Sequence, residues 1–119
     1  MNYKVQLVVR FMKDNLHKRL RLTEMAGLIG QTPEHFCRMF KAETGMAPMK
    51  YLKRVRMEKA QELLMTTSMT VKEIVMTIGA TDESHFRRDF KHFCGMTPAE
   101  YKARSHLESH TGDGSGLPA

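Results

Sequence analysis

One half of this chain is an imperfect copy of the other, and that duplication restricts the fold more than any other feature of the sequence. Shifted by 49 residues, Leu22-x-Glu24-Met25-x-x-x-Ile29-Gly30 falls on Val71-x-Glu73-Ile74-x-x-x-Ile78-Gly79. One inserted residue later, His35-Phe36-x-Arg38-x-Phe40-Lys41 falls on His85-Phe86-x-Arg88-x-Phe90-Lys91. The match continues through Gly45-Met46-x-Pro48 and Gly95-Met96-x-Pro98 to Tyr51 and Tyr101. A repeat of this period is one supersecondary unit used twice, so the chain folds into two similar halves.

Both halves read as helical, because apolar residues recur at three- and four-residue steps and almost nowhere alternate with polar ones. Val5, Val8, Val9, Met12 and Leu16 mark a first amphipathic helix. Leu22 to Ile29 is a short second helix ended by Gly30, and Arg21 is a poor N-cap for it. Thr32-Pro33-Glu34 supplies a cap and a proline at the first helical position of a third, which buries Phe36, Met39 and Phe40 and stops at Gly45. A long helix follows Ala47-Pro48 and meets no breaker before Thr66, with Leu52, Val55, Met57, Ala60, Leu63 and Leu64 inward. Thr70-Val-Lys-Glu73 is a capping box opening a fifth helix that ends at Gly79. Asp82 caps a sixth, with Phe86, Phe90 and Phe93 inward and Gly95 at its end. Thr97-Pro-Ala-Glu100 is a second capping box, whose helix runs through Tyr101 to about Ser105. The expected architecture is all-α, seven helices in two helix-turn-helix subdomains joined by a linker helix: residues 1–45, linker 46–67, residues 68–105, then a disordered tail over 106–119 where apolar periodicity is lost.

In a helix-turn-helix the first helix braces the second, which lies in a major groove about 12 Å wide. With the phenylalanines inward, Glu34, Arg38 and Lys41 form one outward stripe at i, i+4 and i+7, flanked by His35 and Cys37. Ser84, Arg88 and Lys91 repeat it, flanked by His85 and Arg87. Arginine donates two parallel hydrogen bonds to the O6 and N7 of guanine, and lysine neutralises phosphate. Thr32, Lys41, Lys50, Lys53, Arg54, Lys72 and Lys91 are assigned to phosphate, with plain solubility the competing role for Lys41, Lys50, Lys53, Arg54 and Lys91. Arg56 is assigned to bracing the core. The linker helix of roughly 20 residues spans about 30 Å, and successive major-groove turns lie about 34 Å apart.

Charge favours the same partner. The 119 residues carry 19 Lys and Arg against 13 Asp and Glu, a net +6; the last fifteen contain two acids and no Lys or Arg, so the positive charge belongs to the helical part. Cys37 and Cys94 form no CxxC pair, which signals neither disulfide framework nor zinc site and suits a reducing, cytoplasmic compartment. No leader or membrane span is visible, and no membrane partner is expected. His106 and His110 stand four apart without a third ligand, and no cofactor is expected. Asp82, Ser84 and His85 are sequence neighbours set around one helical turn, which is not nucleophile and base geometry, so the chain is read as a non-enzyme. The rival reading is a basic helical module that grips RNA or an acidic protein through charge alone.

These residues resemble the DNA-binding domain of the AraC/XylS family of bacterial transcription regulators over about Leu22 to Arg104. The most specific segments are Phe40-Lys-Ala-Glu-Thr-Gly45, Arg56-Met-Glu-Lys-Ala60-Gln-Glu-Leu-Leu64 and Phe90-Lys-x-Phe93-x-Gly95-Met-Thr-Pro98-x-x-Tyr101. The resemblance implies a seven-helix domain that binds double-stranded promoter DNA and usually activates transcription by contacting RNA polymerase. It places sequence reading on Glu34, Cys37 and Arg38 in the first unit and on Ser84, Arg87 and Arg88 in the second. It also implies a monomeric isolated domain, with any longer parent dimeric through an N-terminal domain. Two positions depart from the family pattern: Val75 stands where alanine is usual, and Ala80 where an aromatic follows the glycine. Without that aromatic, packing between the fifth and sixth helices is expected to be looser.

Overall fold

The computed structural model describes residues 2–115, with side chains as far as Leu107. Seven helices make up this part of the chain, with no strand among the described residues. They are α1 (Tyr3–Asp14), α2 (Leu22–Leu28), α3 (Pro33–Thr44), α4 (Pro48–Thr66), α5 (Val71–Ile78), α6 (Glu83–Cys94) and α7 (Pro98–Ser115). None of them is long and apolar enough to cross a membrane. The chain divides into two compact units, Met1–Arg56 and Met57–Ala119. The segment read from sequence as a linker is shared between them. Leu52 and Val55 of α4 belong to the first core, and Met57, Ala60, Leu63 and Leu64 to the second.

Each core is built around two phenylalanines on the second helix of its helix-turn-helix. In the first unit Phe36 and Phe40 are fully buried among Val5, Val8, Met12, Met25, Ala26 and Leu52. Their rings meet edge-on at 5.6 Å, and Phe40 meets Tyr51 of α4 at 5.2 Å and 82°. The second unit repeats the arrangement: Phe86 and Phe90 lie 5.6 Å apart, and Phe90 meets Tyr101 of α7 at 5.5 Å and 81°. Edge-to-face contacts of this kind contribute about 0.5–1.5 kcal/mol each beyond the area they bury. Burial is what fixes which way α3 and α6 are rotated about their own axes.

The helix ends follow local chemistry. Thr32 Oγ1 accepts from His35 N at 3.2 Å, and Asp82 Oδ1 from His85 N at 2.8 Å. Gly45 and Gly95 close α3 and α6, both at φ 82°. No atom lies within 4 Å of a Cβ built at either glycine, so the left-handed backbone, not crowding, is what selects glycine there. Both capping boxes form. Thr70 N donates to Glu73 Oε1 at 2.8 Å and Glu73 N to Thr70 Oγ1 at 3.2 Å; Thr97 and Glu100 repeat this at 2.9 and 3.1 Å. Arg21 stands at the N-cap of α2 without a side-chain cap bond.

Two expectations need correction. Phe93 is 37% exposed, not inward. It holds the place of Glu43 in the first unit, which is also exposed, so the buried stripe ends one turn before either helix does. The second concerns the last helix, which was expected to run to about Ser105 and continues to Ser115. Loss of apolar periodicity removes a packing face but not the backbone ladder, and no glycine or proline interrupts residues 99–111. Residues 116–119 of the expected tail lie outside the described residues. At the departures from the family pattern, Val75 is buried and Ala80 packs half-buried against the second core.

The boxes make the second unit acid-sensitive. Hydrogen bonds from the Thr70 amide and hydroxyl hold Glu73 below its ordinary pKa, and Thr97 does the same for Glu100. A folded-state pKa that is depressed contributes stability above the unfolded value, and that stability is lost as the pH falls through the folded one. The melting temperature of the second unit is therefore expected to drop once the pH passes below about 4. A Glu73→Gln/Glu100→Gln variant should decline less steeply between pH 5 and pH 3 in thermal melts followed by circular dichroism. Superimposable pH profiles would show that the boxes do not contribute.

Candidate nucleic-acid interface

With Phe36 and Phe40 inward, α3 turns Glu34, His35, Arg38 and Lys41 outward, all exposed, with Cys37 half-buried at the edge of the stripe. On α6 the outward residues are Ser84, His85, Arg87, Arg88 and Lys91, again all exposed. Each expected base-reading set is thus gathered on one helix face of its own unit. The guanidinium groups of Arg38 and Arg88 meet no hydrogen-bond or ion-pair partner among the described residues.

The flanking residues of α6 are more constrained. Arg87 Nη1 lies 3.6 Å from Glu83 Oε1, one turn back along the helix. His85 Nδ1 lies 3.3 Å from Asp82 Oδ2, so the capping carboxylate holds both the backbone and the ring of His85. The His85 amide is the main cause of the lowered Asp82 pKa, and the imidazole adds to it. Exposed pairs of this kind contribute only about 0.2–1 kcal/mol and exchange readily for a stronger anion. Sequence reasoning passed over Glu83, although its i, i+4 spacing to Arg87 was a usable signal.

The expected phosphate residues are all exposed: Thr32, Lys41, Lys50, Lys53 and Arg54 in the first unit, Lys72 and Lys91 in the second. Thr32 uses an oxygen lone pair for its cap and keeps its hydroxyl hydrogen to donate. Arg54 Nη1 reaches the Met46 sulfur at 3.7 Å. Arg56 is different, as expected: half-buried, it donates to the carbonyls of Lys18 at 2.9 Å and Leu16 at 3.3 Å, tying α4 to the segment between α1 and α2. Its Nε is buried without a partner, and desolvation lowers its pKa from the usual arginine value.

Other chemistry gains no support from the geometry. Ser84 makes no hydrogen bond to the His85 ring among the described residues. No group of three His, Cys, Asp or Glu side chains converges among them. The thiol of Cys94 turns to the Met96 carbonyl at 3.7 Å and packs against the second core. The side chain of His110, paired in sequence with His106, lies outside the described residues.

Two units, each with a brace helix and an exposed basic helix held by buried aromatic rings, define a tandem helix-turn-helix DNA-binding domain. Comparison with known proteins gives the family. Residues 25–104 match the family model described as a helix-turn-helix domain. The chain is 31% identical over 102 residues to the lactose operon transcription activator of Staphylococcus xylosus, which covers 85% of this chain and 36% of that protein. It is 30% identical over 94 residues to the MmsAB operon regulatory protein of Pseudomonas aeruginosa, covering 79% of this chain and 31% of that one. Against the bifunctional transcriptional activator/DNA repair enzyme AdaA of Bacillus subtilis it is 28% identical over 104 residues, 87% of this chain and 49% of the enzyme. Among solved structures, the DNA-binding domain of AdpA in complex with a target DNA superposes with a TM-score of 0.84 at 27% identity, covering 90% of this chain and 96% of that one. An AraC-type regulator from Chromobacterium violaceum gives 0.81 at 27% identity, covering 86% and 91%. The chain belongs to the AraC-type helix-turn-helix family of transcription regulators. It spans about a third to a half of the length of these curated relatives. The rival module for RNA or an acidic protein has no counterpart among them.

Arg56 is expected to matter for stability and not for reading. Arg56→Ala should destabilise the first unit by about 1.5–3 kcal/mol in urea titration, the range for hydrogen bonds to a charged donor. The ratio of affinities for target and scrambled duplex should stay unchanged; a changed ratio would place Arg56 at the interface.

Proposed function

We propose that this domain binds a specific double-stranded promoter site as a monomer, laying α3 and α6 in successive turns of the major groove. The observation that carries the reading is the pair of exposed guanidinium groups, Arg38 and Arg88, at equivalent places on two helices whose opposite faces are locked by buried phenylalanines. Glu34, His35 and Cys37 complete base reading in the first unit, and Ser84, His85 and Arg87 in the second. Thr32, Lys41, Lys50, Lys53, Arg54, Lys72 and Lys91 bind phosphates, where charge raises affinity on every sequence and selects none.

The role is that of a transcription activator in the cytoplasm of a bacterium, working by binding and not by catalysis, with RNA polymerase as its protein partner. Activation is the role that the lactose operon relative and AdaA carry in their names. A longer parent would be dimeric through a further domain.

Selection of bound duplexes from a random pool supplies the target. On that target Arg38→Ala or Arg88→Ala should each cost about 1–3 kcal/mol and relax the preference at one position. Lys41→Gln or Lys91→Gln should weaken all sequences alike and flatten the salt slope by about one unit. Equal losses for the arginine variants on target and scrambled DNA would refute base reading.

A further inference from the structure

The two units differ most in charge at a place outside both outward stripes. The segment between α1 and α2 reads His17-Lys18-Arg19-Leu20-Arg21, and its repeat counterpart between α4 and α5 reads Thr66-Thr67-Ser68-Met69-Thr70. The apolar plug is kept in both, Leu20 buried in the first core and Met69 packed against the second. Around that plug the first unit places two arginines, a lysine and a histidine where the second has only neutral residues. The nearest acids, Asp14 and Glu24, lie on the helices to either side of the run.

The segment is built to hold a shape. Leu16 and Leu20 are buried on either side of the cationic residues. Lys18 N donates to Asn15 O at 3.0 Å, and Asn15 Nδ2 donates to Phe11 O at 2.9 Å. Arg56 reaches across to the Leu16 and Lys18 carbonyls. The side chains of His17, Lys18, Arg19 and Arg21 are all exposed, and those of Lys18, Arg19 and Arg21 meet no ion-pair partner among the described residues. A fixed backbone with three uncompensated cations within four residues is suited to a polyanion, since the charges are already gathered and each phosphate they neutralise releases counterions from the duplex. The second unit keeps the apolar plug without the charge, so folding does not require it.

We propose that Lys18, Arg19 and Arg21 form a further binding site for the phosphodiester backbone of duplex DNA, which extends the footprint of the first unit beyond α3 and makes that unit the stronger holder of DNA of any sequence. This rests on the DNA-binding reading above and does not depend on which bases are read.

The test uses the chain as it stands, with Lys18→Gln, Arg19→Gln and Arg21→Gln combined, and a selected and a scrambled duplex titrated over a range of salt. Removing one cation from a phosphate should lower the slope of log affinity against log salt by about 0.9. The triple variant should therefore be shallower by two to three units on both duplexes, with the preference for the target retained. Arg19→Gln alone, which removes no backbone bond, should give about one unit and serves if the triple variant melts early. An unchanged slope on the scrambled duplex overturns the proposal and is the result expected if the cations serve an acidic protein surface instead. The slope on scrambled DNA decides this site; the preference for the target, relaxed at one position in Arg38→Ala, decides base reading, so either idea can fail without the other.

Discussion

Everything outward in this protein depends on two phenylalanines per unit being held inward. Phe36 and Phe40, with Tyr51 edge-on, fix the rotation of α3, and Phe86 and Phe90 with Tyr101 fix that of α6. Truncating a buried ring of this kind costs about 3–5 kcal/mol, whereas an exposed ion pair contributes under about 1 kcal/mol. The core therefore dictates the direction of the arginines, and the surface charges cannot turn the helix over to suit themselves. A stiff, prearranged basic face also spends less conformational entropy on binding than a mobile one.

On that common frame the duplicates have diverged in charge. At the start of α6 the acids Asp82 and Glu83 sit beside His85 and Arg87 and tether them along their own helix. Arg38 and Arg88 both stand without such a tether among the described residues, and the first unit alone carries the cationic segment at residues 17–21. The first unit thus presents the freer positive charge and the second the more restrained one. One fold, copied, gives two surfaces of different electrostatic strength.

Much of this is legible in the residues because local rules and burial agree. Thr32 before Pro33, the boxes at Thr70 and Thr97, and the glycines at 45 and 95 each specify a helix end by chemistry confined to four or five residues, and the structure has those ends. The inward phenylalanines follow from helical spacing alone. What spacing cannot say is where coverage stops: Phe93 keeps the phase of the buried stripe yet lies in the last, uncovered turn. Loss of apolar periodicity likewise misplaces the end of α7, because the backbone ladder continues where no glycine or proline interrupts residues 99–111. The tether from Glu83 to Arg87 escapes notice when Arg87 is weighed as a reader of DNA before its neighbours on the helix are considered. Arg56 reads correctly as a brace, but its acceptors, two carbonyls some forty residues away, belong to tertiary structure and have no local signal.

The most direct measurement of the central claim is methylation interference at guanine N7 on a selected duplex. If both arginine-bearing helices read bases from one monomer, binding should be blocked by methylation at two clusters of guanines about one helical turn, 10–10.5 base pairs, apart. A single cluster, or a pattern spread evenly over the site, would contradict the account of two reading helices.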